Sequence, residues 1–342
     1  ELVFRYTIQA TGTSGENDSN GISIPENALD NNSSTISDVA GNIADNLTHS
    51  ALSDNSSYKV DTTPPSVDNF TISDTEFQIG DNATVTLEFS EPVCTVSSSC
   101  GGIVFSSDDD ITIPNLDSGP RTGIASGTLT TMTSDNNDNI TWTGTFTPAT
   151  NAEDNSSRLS LGTGYTDLAG NNGPDNQTEN FEIDTLAPTV NVAITDTDGI
   201  QNSFLNAGDN VSVTATFSER VIVDNESGNP TITLVVGSDN RTATYTSGDN
   251  STALVFRYTI QSGDTDTNGI SIRENTLDNN SSTIMDRAGN IATDITHSAV
   301  DNNSSYKVDT TAPSVDNFTM SDTELKIGDN ATVTLVFSEA VI

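Results

Sequence analysis

The fold is decided by stretches such as Ala83-Thr-Val-Thr-Leu-Glu-Phe89, in which apolar and polar side chains alternate residue by residue. Successive side chains of a β-strand point to opposite faces of a sheet, so this alternation predicts a strand with one buried face and one solvated face. Similar segments recur between clusters of Asn, Asp, Gly, Ser and Thr, which favour turns. No long stretch shows helical periodicity, and the regular alternation argues against disorder. The sequence therefore predicts an all-β protein.

A proline-containing junction divides the chain. Val60-Asp-Thr-Thr-Pro-Pro-Ser-Val67 recurs as Ile183-Asp-Thr-Leu-Ala-Pro-Thr-Val190 and as Val308-Asp-Thr-Thr-Ala-Pro-Ser-Val315. Its prolines at positions 65, 188 and 313 are 123 and 125 residues apart. This period is too long for a solenoid unit and suits one independent β-sandwich per repeat.

Two domain types alternate along the chain, because longer copies recur only at every second junction. Leu2-Val-Phe-Arg-Tyr-Thr-Ile-Gln9 reappears at residues 254–261, and Ser66-Val-Asp-Asn-Phe-Thr-Ile72 reappears with one change at residues 314–320. We therefore predict four segments. They are the C-terminal part of a type B domain (1–62), a complete type A domain (63–185), a complete type B domain (186–310) and the N-terminal part of the next type A domain (311–342).

Each complete domain carries seven strand signals. In the type A domain they lie near residues 66–73, 82–90, 103–106, 126–133, 140–147, 157–162 and 179–184. In the type B domain they lie near residues 189–195, 209–218, 231–236, 241–246, 252–262, 270–274 and 304–309. Seven short strands separated by turn clusters predict a Greek-key, immunoglobulin-like (Ig-like) sandwich. The expected inward-facing residues of type A are Phe70, Leu87, Phe89, Trp142, Phe146 and Phe181.

The arrangement that these signals predict is tandem sandwiches, like beads on a string. Proline fixes its own backbone angle and favours extended geometry in the residue before it, so the junctions are expected to be stiff. Each sandwich would add roughly 30–40 Å to a rod.

The charge of the chain limits its partners. Its 49 acidic and 11 basic residues give a formal net charge of −38, so no basic patch can neutralise nucleic-acid phosphates. The acidity favours solubility and mutual repulsion, and it also provides many ligands for divalent cations. The chain has no transmembrane run, so we expect no direct membrane insertion of this segment.

Enzyme signatures are missing from the sequence. The two histidines, His49 and His297, occupy equivalent Thr-His-Ser-Ala contexts of successive type B copies. A residue that recurs once per domain favours a structural role, and no phosphate-binding or dinucleotide-binding glycine pattern is present. We therefore expect no enzymatic activity.

Calcium is the cofactor that the sequence favours, in a structural role. Asp264, Asp266 and Asn268 place oxygen ligands at alternate positions before Gly269, as in the first part of a calcium loop. The earlier type B copy keeps the pattern with Asp18 and Asn20. Neither loop has the final glutamate of an EF-hand in place, and a polar hairpin loop would look similar.

A second candidate for calcium surrounds each junction. It combines the linker aspartates Asp61, Asp184 and Asp309, the strand-end glutamates Glu91, Glu219 and Glu339, and an Asp-x-Ala-Gly-Asn motif at residues 38–42, 167–171 and 286–290. The motif alone also fits a simple turn, in which glycine takes a positive backbone angle and Asp caps locally. A metal site would require these carboxylates to converge.

Two covalent modifications are predicted. Cys94 and Cys100 are the only cysteines, and their close spacing favours a small-loop disulfide in an oxidising compartment, with free thiols as the alternative. The triplet Asn-x-Ser/Thr is dense and, on a secreted protein, predicts exposed N-glycosylation sites. The positions we single out are Asn46, Asn69, Asn82, Asn139, Asn176, Asn210, Asn240, Asn317 and Asn330.

Several ordered motifs carry a family resemblance. The Asp-Thr-Thr-Ala-Pro junction, Ala331-Thr-Val-Thr-Leu-Val-Phe-Ser-Glu339 and Asp286-Arg-Ala-Gly-Asn290 resemble the Ig-like repeats of giant bacterial and archaeal cell-surface proteins. The resemblance covers essentially the whole chain. It implies sandwich domains of large adhesins, which are often rigidified by calcium between domains, or of archaeal surface-layer (S-layer) glycoproteins.

The resulting hypothesis is an extracellular structural array, acting as the stiff spacer of an adhesin stalk or a surface filament. Its expected partners are neighbouring repeats and copies of itself. The alternatives are an S-layer glycoprotein that forms a surface lattice, or a module that binds a glycan or another partner. The single tryptophan and scattered tyrosines argue against a glycan-binding aromatic face.

Overall fold

A computed structural model describes residues 1–9, 16–95, 105, 110–117, 119–134 and 138–342. The regular secondary structure of these residues is β-strand, and no helix is present among them. The chain divides into two compact units, Glu1–Thr185 and Leu186–Ile342. The all-β fold class predicted from the alternating pattern is confirmed.

The first unit contains a sandwich whose core residues lie between Phe70 and Ile183, and we refer to it by the predicted range 63–185. Its strands are β1 (Val67–Ile72), β2 (Glu76–Phe77), β3 (Ala83–Phe89), β4 (Val93–Thr95), β5 (Ile111–Thr112), β6 (Gly127–Leu129), β7 (Thr133–Ser134), β8 (Thr141–Pro148), β9 (Glu153–Ser157), β10 (Ser160–Leu161), β11 (Tyr165–Asp167), β12 (Asn176–Gln177) and β13 (Phe181–Asp184). One sheet has the order β1-β3-β8-β6, with β7 also paired to β8, and another has the order β2-β13-β9. Two further sheets are formed by β12-β10-β5 and by β11-β4.

The core of this sandwich follows from the alternation. Along β3, the residues Ala83, Val85, Leu87 and Phe89 are buried, whereas the threonines and the glutamate between them are exposed or half-buried. The six predicted inward-facing residues are all buried, and Trp142 is fully so. Phe77, Phe146 and Phe181 form an aromatic cluster with ring centroids 5.2–5.6 Å apart.

The second unit contains a sandwich whose core residues lie between Val192 and Val308, and we refer to it by the predicted range 186–310. Its strands are β14 (Val190–Asp198), β15 (Phe204–Leu205), β16 (Asn210–Asp224), β17 (Thr231–Val236), β18 (Asp239–Ser247), β19 (Ser251–Thr259), β20 (Thr265–Asp266), β21 (Ser271–Asp278), β22 (Thr283–Met285) and β23 (Lys307–Asp309). The large sheet has the order β14-β16-β19-β18-β17-β21, and β22 also pairs with β16. The second sheet has the order β15-β23-β20.

The first strand of each domain is followed by a two-residue strand that belongs to another sheet. In residues 63–185, β1 pairs antiparallel with β3, whereas β2 pairs parallel with the last strand, β13. In residues 186–310, β14 and β15 divide in the same way, and β15 pairs parallel with β23. The beginning and the end of each domain therefore lie side by side. The signal predicted near residues 103–106 lies outside the described residues except for Phe105, which bridges to Met132.

The segments 1–62 and 311–342 contain parts of the pairing seen in the complete sandwiches. The bridges Asp18–Val60 and Ile24–Leu52 correspond, 248 residues later, to the pairs Asp266–Val308 and Ile272–Val300. The last segment forms β24 (Val315–Met320) and β25 (Val333–Phe337), which pair with the register of β1 and β3. Side chains that are buried in the complete copies are exposed here: Phe4 is 75% exposed, whereas Phe256 in the same octapeptide is fully buried.

Candidate functional site

The first junction carries a short linker between the bridge at Val60 and β1. The Oδ1 atom of Asp61 accepts the backbone N–H of Thr63 at 3.0 Å, which closes a local turn. At the other end of the linker, the backbone N–H of Ser66 donates to Ser90 Oγ, and the N–H of Ser90 donates to the carbonyl of Ser66. The linker is therefore attached to the end of β3, next to Glu91.

The Asp-x-Ala-Gly-Asn motif forms a turn, as its composition predicts. Asp167 Oδ1 accepts the backbone N–H groups of Ala169, Gly170 and Asn171 at 2.7–2.9 Å, and its Oδ2 accepts Asn171 Nδ2 at 2.7 Å. Gly170 has a φ of 97°, which a residue without a side chain adopts at low cost. The copies that begin at Asp38 and Asp286 repeat this turn, with glycines in the same conformation.

Three carboxylates converge at the first junction. Asp61, Glu91 and Asp167 each contribute an oxygen atom that lies within 4.8 Å of the others. Asp61 lies in the linker, Glu91 is the second residue after β3, and Asp167 is the last residue of β11. Asp167 pairs with Val93 of β4, which brings Asp167 close to Glu91. We call these three residues the junction cluster. The convergence that a metal site requires is thus present for Asp61.

The junction cluster concentrates negative charge in a partly buried place. Asp167 is 2% exposed, and Glu91 is half-buried. Burial raises the pKa of Glu91, and the charges of Asp61 and Asp167 raise it further. The three carboxylates therefore repel one another when all are ionised. Carboxylate oxygens are the ligands that calcium takes, so the donor set suits a hard divalent cation, with water and carbonyl oxygens completing its coordination.

The loop around Asp264 has a different arrangement. The carboxylate of Asp264 forms an ion pair with Arg241 at 2.7 Å, and it accepts the Tyr258 hydroxyl at 2.5 Å and the N–H of Gln261 at 2.9 Å. Burial alone would raise the pKa of Asp264, but these hydrogen bonds and the guanidinium charge outweigh burial and lower it. Both carboxylate oxygens of Asp264 thus accept hydrogen bonds from protein groups. The sequence pattern did not reveal this role of Asp264.

The remaining residues of the predicted calcium loops have protein partners as well. Asp266 accepts the N–H groups of Gly237, Asn268 and Gly269, and Asp18 accepts the N–H of Gly21. The amide of Asn20 donates to Asp54. These residues do not belong to the junction cluster, and calcium in either loop stays a prediction.

The other two linker aspartates lie at the ends of strands. Asp184 ends β13 and pairs with Glu153 on β9, and Asp309 ends β23 and pairs with Thr265 on β20. Asp309 Oδ1 accepts the N–H of Thr311 at 3.0 Å, as Asp61 does for Thr63. The linker turn is therefore repeated one type B copy later.

The histidines have structural surroundings. His297 is buried, its Nε2 accepts the N–H groups of Thr276 and Leu277, and its Nδ1 lies 2.9 Å from the carbonyl of Ser298. His49 repeats the contacts with Leu29 and Ser50 in the earlier copy. Both imidazoles therefore bind the main chain of their own domain.

Comparisons with known proteins agree with this architecture. A family model described as a bacterial Ig-like domain matches residues 121–183, which include β6 to β13 up to its third residue. This match confirms the predicted Ig-like sandwich for that region. No curated protein sequence matches the chain.

Two solved structures resemble parts of the chain. One is FdeC, an adhesin of Escherichia coli, at 14% identity and a TM-score of 0.32, covering 82% of this chain and 76% of FdeC. The other is a putative membrane-anchored protein of Corynebacterium diphtheriae, at 12% identity and a TM-score of 0.24, covering 75% of this chain and 64% of that protein. In the described residues, no helix is long and apolar enough to cross a membrane.

The positions of the predicted modifications can be compared with burial. Cys94 is buried on β4, and Cys100 lies outside the described residues, so the disulfide stays a prediction. None of the nine predicted glycosylation asparagines is buried. The exposed ones are Asn46, Asn82, Asn240, Asn317 and Asn330, and the half-buried ones are Asn69, Asn139, Asn176 and Asn210. Their glycosylation stays a prediction.

Proposed function

We propose that this chain is a non-enzymatic, extracellular segment of a surface protein, and that its Ig-like domains act as a stiff spacer in an adhesin stalk or surface filament. The observation that carries the proposal is the first junction, where the linker aspartate joins Glu91 and Asp167 in the junction cluster. The excess of 49 acidic over 11 basic residues suits an exposed, extended protein whose copies repel one another.

The spacer role predicts an extended molecule in solution. A compact globule of this length would have a radius of gyration of about 20 Å, whereas a rod built from sandwiches of roughly 30–40 Å each would be about 100 Å long with a radius of gyration of about 30 Å. Small-angle X-ray scattering distinguishes the two values. A radius of gyration near that of the globule would contradict the spacer.

We further propose that the junction cluster binds calcium. Asp61, Glu91 and Asp167 would hold the ion, which would supply positive charge that removes their mutual repulsion and ties the linker to the domain after it. A ligand that binds only the folded state stabilises it by about 2.7 kcal/mol at 100 times its Kd. For a unit of this size, that corresponds to a rise in Tm of roughly 5–10 °C.

Glu91→Gln tests the calcium proposal, with Glu88→Gln on β3 as the matched control outside the cluster. Trp142 is the only tryptophan and is fully buried, so its fluorescence reports unfolding of the 63–185 sandwich. In chelator, we expect Glu91→Gln to raise Tm slightly because it removes repulsion. With calcium, wild type and Glu88→Gln should gain stability, and Glu91→Gln should gain far less.

Acid should weaken the calcium response. The pKa of Glu91 is raised, so Glu91 takes up a proton at a higher pH than an ordinary glutamate does, and a protonated carboxyl is a poor calcium ligand. A wild-type Tm that calcium leaves unchanged, or an equal response of the two variants, would contradict calcium binding at this cluster.

A further inference from the structure

The linker at the first junction forms hydrogen bonds with side chains that precede it and follow it in the sequence. We infer that Asn17, Thr62 and Asn171 form a junction lock that fixes the linker Asp61–Thr63 without a metal ion. Asn17 belongs to the segment before the linker, and Asn171 belongs to the domain after it. This inference deepens the proposed spacer function, since it names the residues that would stiffen the junction.

Asn17 holds the linker from the preceding segment. Its Oδ1 accepts the backbone N–H of Thr62 at 2.8 Å and the Thr62 hydroxyl at 3.1 Å. Its Nδ2 donates to Thr63 Oγ1 at 2.6 Å. One amide side chain thus contacts two consecutive linker residues through three hydrogen bonds.

Asn171 holds the linker from the following domain. Its Nδ2 carries two hydrogens and has two acceptors: Asp167 Oδ2 at 2.7 Å and the carbonyl of Asp61 at 3.1 Å. The first bond orients the amide within the turn, and the second reaches a linker residue that is 110 positions away. A residue that only closed a turn would not need this second acceptor.

The backbone N–H groups of Thr62 and Thr63, the two linker residues before the prolines, are both hydrogen-bonded. Pro64 and Pro65 have no N–H group, so the donors next to them are those of Thr62 and Thr63. Thr62 donates to Asn17, and Thr63 donates to Asp61. Neither amide is free to form the alternative bonds that a mobile linker would use.

The threonine of the lock has counterparts at the other two junctions. The hydroxyl of Thr185 donates to the carbonyl of Ala149 at 2.6 Å, and that of Thr310 donates to the carbonyl of Asp264 at 2.9 Å. In each case the acceptor belongs to the domain before the linker. The Asp-Thr pair therefore attaches each linker to the preceding domain, although the acceptor differs from copy to copy.

Hydrogen–deuterium exchange of the full chain in chelator tests the lock in the absence of calcium. Because the prolines carry no amide hydrogen, a peptide that ends at Pro65 reports on few amides besides those of Thr62 and Thr63. Loss of a typical hydrogen bond changes an equilibrium by about two- to tenfold, so we expect Asn17→Ala and Asn171→Ala to speed exchange in this peptide by such a factor.

Asn42→Ala is the matched control. Asn42 is the equivalent asparagine of the first Asp-x-Ala-Gly-Asn turn, and its Nδ2 donates to Asp38 within that turn. It should leave exchange in the linker peptide unchanged. Unaltered exchange in both Asn17→Ala and Asn171→Ala would overturn the lock, and so would equal acceleration by Asn42→Ala.

Trp142 fluorescence confirms that the 63–185 sandwich remains folded in each variant, and Asn171→Gln serves if Asn171→Ala does not fold. Repeating the exchange with calcium separates the two proposals. If the asparagine variants speed exchange and calcium has no effect on it, the junction lock stands and calcium binding at the junction cluster is contradicted. If calcium slows exchange and the asparagine variants do not change it, calcium binding stands and the junction lock is contradicted.

Discussion

The buried carboxylate of Asp264 contacts side chains from two neighbouring strands of the 186–310 sandwich. Arg241 lies on β18 and Tyr258 lies on β19, and both contact this one side chain. Burial, together with the hydrogen bond to Asp264, raises the pKa of Tyr258 to about 12, so its hydroxyl remains a proton donor at any ordinary pH. The exposed Asp239 pairs with the same arginine at 3.0 Å, which provides a control within the same network.

We predict that Asp264→Asn lowers the free energy of unfolding by about 2–3 kcal/mol at neutral pH, because it leaves Arg241 without its buried partner. Asp239→Asn should cost less than about 1 kcal/mol, since exposed ion pairs contribute little. Chemical denaturation followed by circular dichroism measures both. Equal effects of the two variants would show that burial of Asp264 does not matter.

The pH dependence of this difference has a definite sign. The pKa of Asp264 is lowered by folding, so its contribution is fully present above the ordinary aspartate value of about 4 and is lost as the pH falls through the lower folded value. The stability gap between wild type and Asp264→Asn should therefore stay constant from neutral pH to about 5 and shrink below about 4.

The sequence identified some of these residues and missed the role of others. The recurrence of Asp61, Glu91 and Asp167 at equivalent places marked them as candidates, but their convergence depends on the register of β11 against β4. The spacing of Asp264 and Asp266 suggested a calcium loop. The ion pair of Asp264 with Arg241 was not predicted, because nothing in the sequence indicates that a residue 23 positions earlier contacts Asp264. Asn17 was missed because nothing marks it among many similar asparagines.

At the scale of elements, β6 depends on a glycine that faces the neighbouring strand. A Cβ atom at Gly127 would lie 2.5 Å from Phe146 Cζ and 2.5 Å from the carbonyl oxygen of Thr147 on β8. Both distances are too short for a Cβ atom, so no side chain fits at position 127 without a shift of its neighbours. Phe146 belongs to the central aromatic cluster. Gly162, just after β10, is different: its Cβ would meet only Asp110 O, at 3.6 Å.

We predict that Gly127→Ala destabilises the 63–185 sandwich by about 1–3 kcal/mol, the usual cost of overpacking a core. Gly162→Ala should be neutral or should stabilise the sandwich by up to about 1 kcal/mol, because it restricts the unfolded chain without a clash. Denaturant unfolding read by Trp142 fluorescence tests both. A Gly127→Ala variant as stable as Gly162→Ala would contradict the packing of β6 on β8.

The longest strands were predictable, whereas the two-residue strands β2 and β15 were not. The signals near 82–90 and 140–147 correspond to β3 and β8, because seven or eight alternating residues define a period of two. The strands β2 and β15 have two residues each, which is too short to show a period. Their parallel pairing with β13 and β23 is a tertiary contact between the beginning and the end of a domain, so local pattern does not reveal it.

At the scale of the whole molecule, the electrostatics are dominated by acidic side chains, which far outnumber the basic ones. Even if each of the 11 basic side chains paired with one acid, 38 of the 49 acids would remain without a cationic partner. Such self-repulsion destabilises a compact state and is weakened by salt, because the Debye length falls from roughly 14 Å at 0.05 M to about 4 Å at 0.5 M.

We therefore predict that sodium chloride raises the Tm of both units when calcium is removed by chelator, and that most of the rise occurs below about 0.5 M. Screening saturates once the Debye length is shorter than the distance between surface charges, whereas stabilisation by exclusion of salt from the surface continues to increase at higher concentrations. Differential scanning calorimetry from 0.05 to 2 M salt separates the two effects by the shape of the curve. A Tm that is flat at low salt and rises only above 0.5 M would show that repulsion between the acids does not limit stability.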